Sequence, residues 1–297
     1  MVVATGFFDG VHLGHRQVIK QLVEAAAVRG VESIVLTFWP HPRNVLQKEA
    51  RDLRLLTTLQ QKKEMLLSLG VDHVEVLPFT KDFSTVTVEQ YLRETVIGKF
   101  GGTAILLGYD NRIGCDAKDA DHVARVAESV GLEVIRAEML VSDSGVAVSS
   151  TKIRGRLAEG DVTGAAEMLG YNYTLHGVIV AGNRLGRTIG FPTANMQLYE
   201  PLKLVPANGV YFVHVRTLGR ELYGMCNIGH RPTVGEGNAR TIETNIFGFD
   251  EDIYGLDMEI SFIQKIRDEI RFDSLDALRE RLDIDRDLCL SLIPMKK

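Results

Sequence analysis

The sequence predicts a doubly wound α/β domain with a parallel sheet, followed by an antiparallel barrel or sandwich carrying a terminal helix. Three observations carry this. Strand-like and helical segments alternate from residue 1 to about 137, strand-like runs punctuated by glycine replace them beyond residue 170, and 297 residues suit two domains at about 150 residues each. A first strand at 2–5 leads into a helix near 15–29, where Val18, Ile19, Leu22, Val23 and Ala26 share one side and Gly30 sits as a left-handed C-terminal residue. Strands near 33–38, 73–77, 104–108 and 132–137 then alternate with helices near 59–69, 88–97 and 120–130. A last helix near 152–169 closes this half, and the boundary is placed at 170, giving domains 1–170 and 171–297. Strands follow near 175–180, 210–216, 222–226, 241–247 and 258–262, with helical periodicity again near 275–282.

Hydrophobic residues make up 45% and charged residues 25%, the balance of an ordinary globular protein. No apolar run approaches the roughly 18 residues of a membrane span, and the start lacks the order of a signal peptide, so a cytoplasmic protein without a membrane partner is expected. Lys plus Arg is 34 against 39 Asp plus Glu, a net charge of −5, which argues against a nucleic-acid partner. Cys115, Cys226 and Cys289 are odd in number and lack a CxxC, so neither a disulfide framework nor a zinc site is expected.

Two stretches in the first half point to phosphate. Gly6-Phe7-Phe8-Asp9-Gly10-Val11-His12-Leu13-Gly14-His15 runs from the first strand into the first helix. Its glycines allow a tight turn, the helix start offers N–H groups to an anion, and two imidazoles at H-x-G-H spacing can address one polyphosphate. A loop histidine alone is usually a surface residue, but a pair where a doubly wound fold binds its ligand reverses that reading. Val148-Ser149-Ser150-Thr151-Lys152-Ile153-Arg154 sets hydroxyls at a helix start with a cation one turn inside, which alone reads as an N-cap and a solvated Arg. Phe38-Trp39-Pro40-His41-Pro42 ends the second strand at the same edge of the sheet, although turn chemistry alone explains both prolines.

In the second half neither a Walker motif nor the protein-kinase motifs occur. Instead Gly182-Asn183-Arg184-Leu185-Gly186-Arg187-Thr188-Ile189-Gly190-Phe191-Pro192-Thr193-Ala194-Asn195 combines glycines, the cations Arg184 and Arg187, and two neutral hard oxygens on Thr193 and Asn195 that suit Mg²⁺, with Mn²⁺ accepted as well. A generic glycine-rich β-turn is the bland alternative.

G-F-F-D-G-V-H-L-G-H, F-W-P-H-P and S-S-T-K-I-R in this order resemble the adenylyltransferase module of the bacterial bifunctional riboflavin kinase/FAD synthetases, within the H-x-G-H nucleotidylyltransferases. The 182–195 stretch is similar to the G-R-x-x-G-x-P-T-A-N signature of riboflavin kinases, and residues 206–211, Asn227-Ile228-Gly229 with Pro232-Thr233-Val234, Glu243-Thr244-Asn245, Asp252-Ile253-Tyr254-Gly255 and Arg267-Asp268-Glu269 with Phe272 follow the family order. The resemblance implies a closed antiparallel barrel, phosphorylation of the riboflavin 5′-hydroxyl by Mg-ATP, and transfer of AMP from a second ATP to FMN, giving FAD and pyrophosphate. On it Gly6, Phe7, Phe8, Asp9 and Gly10 border the ATP of adenylyl transfer, with His12 and His15 on the triphosphate and Ser150, Thr151 and Arg154 on the outer phosphates. Gly182, Arg184, Gly186, Arg187, Gly190, Thr193 and Asn195 serve ATP and flavin in the kinase. Glu243 is the catalytic carboxylate, and Arg267 and Glu269 border the flavin, an Arg and a Glu two apart being otherwise a solvated pair.

Departures from the pattern are specific. The usual G-x-D-F-x-F-G is Gly108-Tyr109-Asp110-Asn111-Arg112-Ile113-Gly114, without either aromatic; Phe7 stands where Asn is common; and E-x-H is Glu243-Thr244-Asn245, which passes that histidine's role to Asn245 or removes it. The first strand begins at residue 2, so a missing short leader is an expectation. Alternative readings are a riboflavin kinase with a degenerate first module and a non-catalytic flavin-binding regulator, the latter opposed by intact His12, His15, Thr193, Asn195 and Glu243. Partners are the small molecules riboflavin, FMN and ATP, and a transient homo-oligomer is allowed.

Overall fold

The computed structural model describes residues 1–46, 53–108, 113–138, 148–182, 185–230 and 240–294. The chain forms two compact units, Met1–Ser150 and Thr151–Lys297.

In the first unit, five strands make a parallel sheet in the order β3-β2-β1-β4-β5: β1 Val2–Thr5, β2 Ser33–Trp39, β3 His73–Pro78, β4 Ala104–Leu107 and β5 Glu133–Arg136. The helices between them are α1 Leu13–Arg29, α2 Leu59–Ser68, α3 Val88–Gln90 with its π-helical continuation Tyr91–Lys99, and α4 Ala120–Ser129. All four residues of β1 are buried because the strand is covered on both sides. Val2 and Ala4 pack with Ile19 and Leu22 of α1 and Leu66 of α2, whereas Val3 packs with Leu92, Val96 and Val123. Alternate side chains thus enter opposite cores, as a sheet with helices on both faces requires. The strand order reverses between β1 and β4, so the loop leaving the carboxyl end of β1 lies at the switch point where such folds bind ligands.

In the second unit, β6 Thr174–Val180, β7 Ala194–Leu198, β8 Gly209–Thr217, β9 Arg220–His230, β10 Arg240–Ile246 and β11 Asp257–Arg267 close into a barrel in the order β10-β7-β6-β11-β8-β9. Pairing of β9 with β10 completes the circle and leaves no unpaired sheet edge. A closed barrel therefore replaces the open choice between barrel and sandwich. Tyr211 and Phe262 meet edge to face inside it, with centroids 5.2 Å apart.

Three expectations change. The single helix near 152–169 is two, α5 Ser150–Glu159 and α6 Val162–Leu169. Gly160 between them is left-handed at φ 81°, and the Asp161 side chain caps α6 by accepting from the Gly164 N–H at 2.8 Å. The packing division falls at 150 rather than 170, because these helices dock on the barrel: Thr163 Oγ1 donates to the Ile263 carbonyl at 3.3 Å, and the Ala207 N–H to the Leu157 carbonyl at 2.9 Å. Finally, Ala194–Leu198 is a strand although it has no β-branched residue; pairing with β6 and β10 on either side imposes it.

The terminal helix, α7 Leu275–Ser291, is longer than the periodicity near 275–282 suggests. It is fastened by Asp285, which is fully buried and accepts from Arg267 Nε at 2.7 Å, with Arg281 Nε a further 3.0 Å ion-pair partner. Among the described residues no helix is long and apolar enough to cross a membrane. Replacing Asp285 by Ala strands a guanidinium that is only 10% exposed. The expected loss of stability in the second unit is about 3–5 kcal/mol, read by urea unfolding, with Asp285→Asn intermediate.

Candidate functional sites

The loop after β1 is an unusual piece of backbone. Phe8, Gly10 and Val11 all have positive φ, at 51°, 84° and 35°, and two of these carry side chains that disfavour that region. Hydrogen bonds hold it. The Gly6 N–H donates to the Leu36 carbonyl at 3.1 Å, and the Gly10 N–H to Thr57 Oγ1 at 3.1 Å. The buried Asp9 carboxylate accepts from the N–H groups of Leu56 and Thr57 at 3.0 Å and from Thr57 Oγ1 at 3.2 Å. Asp9, expected beside the nucleotide, therefore directs its charge into the protein's own backbone, while its carbonyl accepts from Ser150 Oγ at 2.9 Å.

This loop delivers the two histidines to the start of α1. His12 is the N-cap and its Nδ1 accepts from the His15 N–H at 3.3 Å, which leaves the imidazole proton on Nε2. The His15 ring stacks on it, with centroids 3.6 Å apart and planes 15° from parallel, and meets Phe8 edge on. Burial, then the charges of His12 and Lys62, hold His15 well below its usual value near 6.5, so it is neutral at neutral pH. His15 Nδ1 is buried and without a hydrogen-bond partner. Phe7 packs edge to face on His41, centroids 3.9 Å apart, bringing the F-W-P-H-P segment to the same loop. On α5, Thr151 is exposed and Arg154 half-buried; both belong to the second compact unit. Tyr109, Asp110, Asn111 and Arg112 lie outside the described residues.

Sequence reasoning missed Lys62. It occupies the buried face of α2, one turn before Leu66, and is 2% exposed. Its Nζ donates to the Phe7 carbonyl and to Thr37 Oγ1, each at 2.9 Å, and lies 4.0 Å from the Phe7 ring centroid. A lysine on the apolar stripe of a helix was the signal that could have found it.

In the barrel, Glu243 of β10 stands opposite Asn195 of β7, and Thr244 opposite Ala194. Thr193 Oγ1 donates to Glu243 Oε2 at 3.4 Å, so the hydroxyl, the amide and the carboxylate gather across one strand pair. A Cβ at Gly182 would displace the Asn195 amide, and at Gly186 it would overlap the Phe191 backbone carbonyl. Gly190 has φ 85° and closes the turn before Phe191. A cavity of about 310 Å³ is lined by Arg187, Pro192, Thr193, Thr244, Ile253 and Tyr254, which connects the cation and Thr193 to one space. Asn245 Nδ2 donates to the Pro192 carbonyl at 2.7 Å, anchoring the Pro192-Thr193 corner from beneath.

Arg267, expected beside the flavin, is held by the protein's own groups. Its guanidinium is committed to Asp285 and to the Asp268 carbonyl, and lies over the Phe272 ring, so it fastens α7. Glu269 accepts from Asn208 Nδ2 at 3.1 Å and lies over Gly229, where a Cβ would overlap it. Arg184 and the Pro232-Thr233-Val234 segment lie outside the described residues.

These two constellations match known families. The profile of FAD synthetase matches residues 1–152, and that of riboflavin kinase residues 169–293. The curated relative from Listeria monocytogenes, named bifunctional riboflavin kinase/FMN adenylyltransferase, is 36% identical over 286 residues, covering 96% of this chain and 90% of its own. The chain belongs to the bifunctional riboflavin kinase/FMN adenylyltransferase family. The similarly named proteins of Bacillus subtilis and Escherichia coli K12 are each 34% identical, again over 96% of this chain and 90% of their own. A solved structure described as a macrolide-efflux protein from Streptococcus pneumoniae superposes with a TM-score of 0.90 at 32% identity, covering 97% of this chain and 93% of its own. That description concerns the other protein; the shared fold is the two-unit architecture above. Both a riboflavin kinase and an FAD synthetase domain are present, and the activities they indicate use ATP, riboflavin and FMN.

His15 sets a stability limit in acid. Its folded value is depressed, so the unfolded chain takes up a proton first as pH falls below about 6.5. The first unit is expected to keep full stability above that pH and lose it progressively below, seen as a falling urea midpoint that flattens in His15→Asn.

Proposed function

We propose that the first unit transfers AMP from ATP to FMN through the His12–His15 loop, and that the barrel phosphorylates riboflavin around Glu243. The observation that supports this best is one phosphate-type constellation in each compact unit: stacked imidazoles at a helix start at the strand-order reversal, and a carboxylate set among neutral oxygens in the barrel.

In the barrel step a primary hydroxyl attacks, and it must lose its proton as it does so. Glu243 takes that proton, and the Thr193 hydroxyl orients the carboxylate. Thr193 and Asn195 would hold Mg²⁺, or Mn²⁺ in its place, through their neutral oxygens, and the absence of a side chain at Gly182 lets the Asn195 amide lie close against that backbone. When bound, such an ion would neutralise negative charge on the transferring phosphoryl group. Arg187 provides further positive charge at the cavity.

In the other step the attacking FMN phosphate is already anionic and needs no strong base. The first unit works by positioning. His12 offers Nε2–H to the triphosphate, and His15, neutral and with a buried unpartnered nitrogen, gains a partner when the nucleotide arrives. Positive φ at Phe8 and Gly10 turns the backbone so that both rings start the helix. ATP as donor in both reactions points to the cytoplasm as the compartment.

Incubation of the purified chain with riboflavin, ATP and Mg²⁺, followed by chromatography over time, tests the reading. FMN is expected to rise and then give way to FAD. Glu243→Gln should lower FMN formation by about 10²–10⁴-fold, the range for a general base. Unchanged FMN formation in that variant refutes the base assignment. His15→Ala should slow FAD formation from supplied FMN while FMN formation from riboflavin stays intact; parallel loss of both activities contradicts separate sites.

A further inference from the structure

Lys62 is a fully buried cation that neither motif contains. It sits on α2, the helix after β2, and reaches under the loop leaving β1. There it bridges two elements, donating to the Phe7 carbonyl and to Thr37 Oγ1 of β2, each at 2.9 Å. Thr37 Oγ1 in turn donates to the same Phe7 carbonyl at 3.2 Å, so carbonyl, hydroxyl and ammonium close a small triangle. The next residue, Phe8, is left-handed and touches the His15 ring. A short chain of contacts therefore runs from the ammonium through Phe7 and Phe8 to His15. Burying an ammonium costs several kcal/mol unless it is well hydrogen-bonded, so an apolar side chain would be the cheaper filler if packing were the only demand.

We propose that Lys62 is a positioning residue for adenylyl transfer: by pinning the Phe7 carbonyl to β2 it holds the left-handed Phe8 turn, and with it His15, in the geometry that receives the triphosphate. The inference rests on the reading of the first unit as the FMN adenylyltransferase. The charge matters as well as the hydrogen bonds. The titratable groups facing it are Asp9 on the loop and His15 on α1, while β2 presents only the neutral Thr37 hydroxyl. Desolvation draws the Lys62 ammonium down to about 8, with Asp9 opposing. It is charged below that pH and neutral above it, and a neutral amine holds a carbonyl less firmly.

The test uses the full chain and two readouts on each variant: FAD formation from FMN and ATP, and FMN formation from riboflavin and ATP. Lys62→Met should lower kcat/KM for FAD formation by about 10–100-fold, the scale of a misplaced site, and leave FMN formation within about twofold. In the wild type, kcat/KM for ATP in FAD formation should fall as pH rises through about 8. Lys62→Arg, charged throughout, should recover most of the activity and lack that alkaline limb. The limb and its loss decide the matter even if Lys62→Met fails to fold. Wild-type FAD formation in Lys62→Met, or an alkaline limb that persists unchanged in Lys62→Arg, overturns the proposal while leaving the adenylyltransferase reading in place. A wild-type chain that makes FMN but no FAD from any supplied FMN overturns both.

Discussion

The first unit depends on the Asp9 carboxylate. Two backbone N–H groups and one hydroxyl converge on it, all belonging to the segment just before α2. A carboxylate so satisfied is stable inside a protein, and removing it would leave buried donors unpaired at roughly 1–3 kcal/mol each. That bond network lets Phe8 and Val11 stay at positive φ, which a loose loop would abandon. Everything that follows in the chain inherits the geometry: the N-cap at His12, the stacked His15 and the direction of α1.

The barrel solves the equivalent problem by strand register. Because side chains alternate along a strand, a slip of one residue between β7 and β10 would carry Glu243 to the opposite face from Asn195. Asn245 guards against this at one end, holding the Pro192 carbonyl, and the Gly182 contact with the Asn195 amide guards it at the other. The family's histidine two residues beyond the carboxylate is here an asparagine with a structural task, so the change from E-x-H to E-T-N keeps a hydrogen-bonding side chain at the corner of the strand pair.

Much of this was legible in the residues. Period-2 and period-3.6 patterns located every strand but Ala194–Leu198 and most helix ends, since burial on two faces of one sheet leaves a strong signal in Val2 to Thr5 and in α1. Motif spacing singled out His12 with His15, and Thr193 and Asn195 with Glu243, and each set lies together in the fold. What escaped was set by distant partners. Arg267 read as a surface or flavin-facing cation because its partner Asp285 lies on another element, and no local pattern announces a buried ion pair. The partners of the Asp9 carboxylate, Leu56 and Thr57, were hidden for the same reason. The break at Gly160 was lost because apolar periodicity continues through it, while the evidence for a stop was one glycine and the capping Asp161. Lys62 was visible as an anomaly in the apolar stripe of α2, but its hydrogen-bonding partners come from β2 and from the loop after β1.

A common logic links these escapes. Asp9, Lys62 and the Arg267–Asp285 pair are buried charges bound to the protein itself, whereas several of the groups assigned to the substrate in the proposed sites, His15, Thr193 and Asn195, are neutral at neutral pH or uncharged by nature. A buried charge can hold backbone in one arrangement because leaving it unpaired is so costly. A neutral polar group can meet a nucleotide and let it go again, since little hydration is lost or regained at each turnover. For a chain that must release FMN from one site and accept it at another, rigid charge behind and neutral donors in front is a division of labour that the chemistry itself favours.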